Sequence, residues 1–223
     1  MELIEEIRES VIRGHINAAS NYPTEMHGKP GVEELVESAL NKKIDVKNIL
    51  DDGLIGGMEI VGEKFSNGEY FVPEMLFAAK AMKSGLKLLK ALLVDHKIFT
   101  IGTIVLGTVE GDMHDIGKNL VGMMLEGGGF GVVDLGVNTS AEKFIEAARQ
   151  YPDALIGLSA LLTITMEKMR NIVNTFKAQG FENKILIGGA PVTEKFAQEI
   201  GADGYAPDAS RAVKKAKELL AIS

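Results

Sequence analysis

From residue 100 onward, short apolar runs alternate with stretches of helical period, and this alternation constrains the fold of the 223-residue chain more than any other feature. Residues 100–109, 129–135, 154–159 and 184–187 read as strands, with a short fifth near Gly204 and Tyr205. Residues 116–125, 141–150, 166–178 and 192–200 carry apolar side chains at helical spacing between them, and residues 209–220 form a closing helix. Parallel neighbours need a crossover, and a helix supplies it, so strict alternation predicts a parallel α/β sheet with helices on both faces. The expected strand order is 2-1-3-4-5, with ligands bound outside the carboxyl ends of the strands.

Residues 1–90 lack that alternation. Leu3, Ile7 and Val11, then Val32, Leu35 and Val36, then Ile49, Leu54, Met58 and Val61, then Met75, Met82, Leu86 and Leu89 fall on four apolar helical faces. Pro73 suits the first turn of the fourth helix. Short connections between four amphipathic helices predict a small bundle. Residues 91–97 read as a polar linker and residues 90–97 as a hinge, leaving 98–223 for the sheet domain. Tyr70, Phe71 and Val72 stand in a connection, off the periodic faces, which suits either a surface that covers something or ordinary packing between helices.

Composition removes whole classes of function. A net charge of −7 without a basic run argues against nucleic acid or an anionic membrane as partner. With no cysteine, thiolate metal sites, cysteine nucleophiles and disulfides are excluded, which fits a cytoplasmic protein. The acidic start, Met-Glu-Leu-Ile-Glu-Glu, does not resemble a signal peptide, and no apolar run is long enough to cross a bilayer.

The chemistry-bearing residues gather at the expected carboxyl edge. The first strand runs into Glu110, Gly111, Asp112, Met113, His114 and Asp115, then Ile116 and Gly117 open a helix. Asp112 stands two residues before His114, so its carboxylate can accept from one ring nitrogen and raise the basicity of the other, as partners of metal-ligating histidines do. The third strand ends in Ser159, Leu161, Thr163 and Thr165, where the Ser and Thr hydroxyls, interleaved with aliphatic side chains, either cap a helix or line a crevice. The fourth ends in Gly188 and Gly189, a turn or a place of close ligand approach.

Asp112, His114 and Gly117 as DxHxxG, Ser159 and Leu161 as SxL, and Gly188-Gly189, in this order, resemble the signature of cobalamin-binding domains. Gly57-Met58, Val61-Gly62, Phe65, Gly68, Phe71 and Pro73 are similar to the helical cap of methionine synthase. Bundle and sheet together resemble a corrinoid methyl-carrier protein of methyltransferase systems. The fold implied is a four-helix bundle cap followed by a flavodoxin-like, Rossmann-like sheet of five parallel strands.

The resemblance implies a cobalamin or related corrinoid, methylcobalamin among its states, bound with its own base displaced and His114 on cobalt as the metal ligand. Asp112 would hold His114, and Thr165, matching a serine in methionine synthase, would continue the relay. Ser159, Leu161 and Thr163 would line the nucleotide tunnel and Gly188 and Gly189 would leave room for the tail. Gly111, Met113, Asp115, Ile116, Gly117 and Ala209 would also touch the cofactor. Phe65, Val72 (where the family has leucine) and Asp51 match cap positions. The chain would be a carrier subunit, not catalytic alone, receiving a methyl group from a substrate-specific methyltransferase and passing it to a second corrinoid-dependent one, with a reductive activase as third partner. Methylamine, methanol, glycine betaine and methoxyaromatic donors stay open. A cobalamin-dependent regulator or sensor remains an alternative, as does a divalent-metal hydrolase built on Glu110, Asp112, His114 and Asp115.

Overall fold

A computed structural model describes residues 2–95 and 100–222, with side-chain surroundings given outside residues 90–99. The chain divides into two compact units, residues 1–99 and 100–223.

The first unit is helical. Helices α1 (Glu2–Ile12) and α2 (Val32–Asn41) are followed by one long helical stretch, α3 (Val46–Asn48), a π-helical segment (Ile49–Ile55) and α4 (Gly56–Ser66), and then by α5 (Val72–Asp95). Four helical rods thus stand where four amphipathic patterns predict them. Ile7, Val11, Val36, Ile49, Leu54, Val61 and Ala78 are fully buried at their centre. The π-helical segment was not legible: widening the turn shifts the apolar face by one residue, and Ile49, Leu50, Leu54 and Ile55 still reach the core on a pattern that scores as an ordinary helix. Helix α5 continues through residues 91–95 of the expected linker, and His96 and Lys97 lie outside the described residues.

The second unit alternates β1 (Thr103–Thr108), α6 (Ile116–Gly127), β2 (Gly131–Asp134), α7 (Ala141–Gln150), β3 (Leu155–Ser159), α8 (Thr163–Ala178), β4 (Ile185–Gly188), α9 (Glu194–Ile200), β5 (Gly204–Ala206) and α10 (Ala209–Leu219). The five strands are parallel in the order β2-β1-β3-β4-β5, the order expected from the sequence. Ile104, Val105, Leu155 and Ile156 are fully buried at its middle, because helices cover both faces and leave no face for polar residues. The register sets Thr108 beside Ser159, Ser159 beside Gly188 and Gly188 beside Ala206, so four strands end level at one carboxyl edge.

Candidate cofactor site

The chain leaves β1 through a tight turn in which the Asp112 amide donates to the Val109 carbonyl at 3.1 Å. Gly111 takes φ +83 there, a conformation that a side chain would oppose. The turn drops Asp112 into the protein, fully buried, and leaves the side chain of His114 half exposed.

The Asp112 carboxylate accepts from five donors. Oδ1 receives the His114 backbone N–H at 3.1 Å and the His114 ring Nδ1 at 2.7 Å. Oδ2 receives the Leu161 and Leu162 amides at 2.8 and 3.3 Å and the Thr165 hydroxyl at 2.7 Å. Burial pushes this carboxyl up, but the bonds from Thr165, Leu161 and His114 outweigh it and hold it well below the usual carboxylate range. An ionised, acceptor-only Asp112 requires the proton of a neutral imidazole on Nδ1, which leaves the lone pair on Nε2. The residue pair is therefore built to present one basic nitrogen in a fixed orientation.

The same carboxylate also bears on the strand-three hydroxyls, which the sequence left as caps or crevice lining. Helix α8 begins at Thr163, three residues earlier than the apolar period suggests, and its N-cap residue, Leu162, gives no side-chain hydrogen bond. Asp112 supplies the missing cap from another loop, its negative charge lying at the amino end of the helix where free amides converge. Thr163 is exposed in the first turn of α8, whereas Thr165 is buried on Asp112.

Ser159 ends β3 and its carbonyl accepts from Val109 at 3.0 Å. Gly188 ends β4, and a side chain there would press on the Ala206 carbonyl; one on Gly189, at φ +131, would overlap the Ala160 carbonyl oxygen. The glycine pair is thus demanded by neighbouring backbone, a reason the sequence did not disclose. Gly117 differs, with open space where its side chain would be. Asp115 takes the N-cap position of α6 and Ile116 its first turn, while Ala209 is buried at the start of α10. Asp51 is exposed within the π-helical segment, Phe65 half-buried on α4, Val72 exposed at the start of α5 and Phe71 beside it 66% exposed.

Apolar side chains on the loops after β1 and β3 and at the starts of α6 and α8 are exposed: Met113 is 68%, Ile116 79%, Leu161 44% and Ile164 80% exposed. So much apolar surface beside a buried carboxylate and a presented imidazole fits a large, flat, largely apolar group with a metal centre. Among the described residues, no group of three or more His, Cys, Asp or Glu side chains could hold a metal ion by itself. The hydrolase alternative loses its ligand set there, since Asp112 is already committed to His114 and α8.

A family profile described as "B12 binding domain" matches residues 102–214, and a second with that description matches residues 27–90. The chain belongs to the B12-binding corrinoid proteins. Its cofactor is of the cobalamin class. It is 44% identical over 194 residues to dimethylamine corrinoid protein 3 of Methanosarcina acetivorans, covering 86% of this chain and 91% of that protein. It is 38% identical to the trimethylamine corrinoid protein of Methanosarcina barkeri, over 96% of this chain and 99% of that one. A solved structure of the methanol:cobalamin methyltransferase complex of Methanosarcina barkeri aligns with a TM-score of 0.81 at 28% identity, covering all of this chain and 81% of its counterpart. No helix of the described residues is long and apolar enough to cross a membrane.

Four residues of this site escaped sequence reasoning. The buried Thr108 hydroxyl donates to the His114 carbonyl at 2.9 Å. Asn138 accepts from Gly111 at 2.8 Å. Lys118, 2% exposed, pairs with Asp134 at 2.6 Å. The available signals were a lysine directly after Gly117 and an asparagine in the turn-forming Gly-Val-Asn-Thr run after β2.

Proposed function

We propose that this corrinoid protein carries a methyl group on cobalt between a substrate-specific methyltransferase and a second corrinoid-dependent methyltransferase, and that His114 would hold the cobalt. The observation that carries the reading is the 2.7 Å bond from Nδ1 of His114 to a buried, ionised Asp112, which frees Nε2 for a metal. The bound corrinoid supplies a cobalt that accepts a methyl group from one partner and yields it to another.

The chain's own residues do the rest. Asp112 fixes the tautomer and direction of the imidazole, and Thr165 keeps Asp112 from turning by occupying Oδ2. Met113, Ile116 and Leu161 are exposed apolar side chains on the loops after β1 and β3 and at the start of α6, and would offer apolar contact that excludes water from a bound corrinoid. Ser159 and Thr163 would line the path of the cofactor's nucleotide tail, Gly188 and Gly189 would leave room for it, and Ala209, at the start of α10, would touch the cofactor. A methylamine is the donor class favoured by the relatives named for dimethylamine and trimethylamine, and a reductive activase is the expected third partner.

The test is loading with hydroxocobalamin, removal of free cofactor by gel filtration, and an absorption spectrum. The expected result is about one corrinoid per chain with a histidine-ligated spectrum that His114→Ala loses. Retention of that spectrum by His114→Ala overturns the axial assignment. Methylation of the loaded, reduced protein by a dimethylamine or trimethylamine methyltransferase, and none by a methanol one, is expected for the donor class, and the reverse refutes it.

A further inference from the structure

The Asp112 carboxylate ties the His114 loop to α8 on one side, and the β2–α7 loop grips the same loop through different atoms. The Oδ1 of Asn138 accepts the Gly111 N–H at 2.8 Å, and the Asn138 N–H donates to the Asp112 carbonyl at 2.9 Å. One residue thus brackets Gly111 and Asp112 with a donor and an acceptor. Thr139 extends the grip, its amide donating to the Thr108 carbonyl at 2.9 Å and its backbone forming a parallel bridge with Val109. Asn138 takes φ +51, a left-handed conformation that asparagine tolerates better than other residues with side chains.

The gripping loop is itself anchored. Oδ1 of Asp134 accepts the Gly136 amide at 2.8 Å, and Oδ2 takes the buried Lys118 ammonium at 2.6 Å. Lys118 lies in the first turn of α6, the helix that the His114 loop runs into, and its ammonium also reaches Asn119 at 2.8 Å. The path from the loop through α6 and Lys118 to Asp134, on to Asn138 and back to Gly111 is closed. A closed path fixes the loop's height above the sheet, and through the 2.7 Å Asp112–His114 bond it fixes the imidazole.

We propose that Asn138 is a positioning residue for His114, a clasp that sets how firmly the imidazole holds cobalt. The inference rests on the axial-ligand reading above. Gly111 is exposed, so water replaces the lost acceptor and the fold survives its removal. What changes is the spread of loop positions, and with it the balance between bound and released imidazole.

Asn138→Gly keeps the left-handed backbone and deletes the acceptor, whereas Asn138→Asp keeps the acceptor. Full-length wild type, both variants and His114→Ala are loaded with hydroxocobalamin, and the histidine-ligated spectrum is followed down an acid titration. Protonation captures released imidazole, so a weaker clasp raises the midpoint. Loss of one ordinary hydrogen bond predicts a roughly threefold to tenfold loss of bound over released imidazole, about half to one pH unit in Asn138→Gly. Asn138→Asp is expected to lie near the wild type, and the urea midpoints of the wild-type, Asn138→Gly and Asn138→Asp apoproteins to agree closely. An Asn138→Gly midpoint equal to the wild type, or an Asn138→Asp midpoint displaced as far as Asn138→Gly, overturns the proposal. A wild-type spectrum identical to that of His114→Ala overturns the axial-ligand reading and the clasp together, and is told apart because His114→Ala then differs from nothing.

Discussion

Asp112→Asn is the sharpest perturbation of this site, because one isosteric atom change meets five donors. The amide can place its NH2 toward α8, where the Leu161 and Leu162 amides and the Thr165 hydroxyl point, or toward His114. The first choice sets three donors against a donor. The second conflicts with only the His114 backbone N–H, because the imidazole can move its proton to Nε2 and accept at Nδ1. The second orientation therefore wins, and it removes the lone pair from Nε2, the nitrogen that the proposed function assigns to cobalt. The loss of bonds to a charged acceptor, at about 1.5–3 kcal/mol each, with one orphaned amide, puts the stability cost at about 2–4 kcal/mol. With a urea slope of about 1–3 kcal/mol per molar, the midpoint of the sheet unit should fall by roughly 1–2 M. The sign with pH follows from the depressed carboxyl: its stabilisation is full above the unfolded value of about 4 and is lost as pH falls, so wild type and variant should converge in acid. Urea unfolding followed by far-UV circular dichroism at pH 7 and pH 3.5 reads the stability, and the absorption spectrum of the loaded protein reads the tautomer. A histidine-ligated spectrum in Asp112→Asn, or a loss below about 0.5 kcal/mol at neutral pH, would refute the reasoning.

In the helical unit, His15 is fully buried with neither ring nitrogen hydrogen-bonded among the described residues, and burial pushes its pKa down against the pull of Glu34. Below about pH 6.5 the unfolded chain binds a proton that the folded state resists, so stability should drop between pH 7 and pH 5, and His15→Leu should flatten that slope in urea titrations. The Lys118–Asp134 pair should respond unequally to truncation, since Lys118 is 2% and Asp134 47% exposed. Asp134→Ala leaves a buried ammonium with Asn119 alone and should cost about 3–5 kcal/mol, while Lys118→Met leaves a carboxylate that water reaches and should cost about 1–2 kcal/mol, and equal losses in thermal unfolding would count against this asymmetry.

The architecture of the second unit was legible because its strands are buried on both faces and its helices on one, which writes two distinct periods into the sequence. The site was legible where bonded residues are close in sequence: Asp112 and His114 are two apart, and their pairing follows from spacing. Thr165 was reached through the resemblance, and the structure adds the bond to Asp112, 53 positions away. Asn138 was hidden because its role depends on where the β2–α7 loop lies against β1, a matter of tertiary placement that no local period records. The start of α8 was misjudged for the same reason. Its cap comes from Asp112, outside its own sequence, so the rule that a helix is announced by the residue before it fails there.

That borrowed cap has a consequence for how the site evolves and breaks. The carboxylate that orients the His114 imidazole also starts α8 and joins the loop after β1 to the loop after β3, so folding the sheet unit assembles the geometry around that ring. A change that loosens α8's first turn, such as loss of the Thr165 hydroxyl, reaches His114 through one shared carboxylate and not through contact with the ring. On the α8 side, stability and the orientation of His114 are coupled by Asp112, while Asn138 holds the loop through the exposed backbone of Gly111, so its loss should move the proposed ligation with little change in stability. The two sides are distinguishable in a double-mutant cycle: Thr165→Val with Asn138→Gly should be additive in unfolding free energy yet more than additive in release of the imidazole, because only the second property requires both tethers to hold one loop.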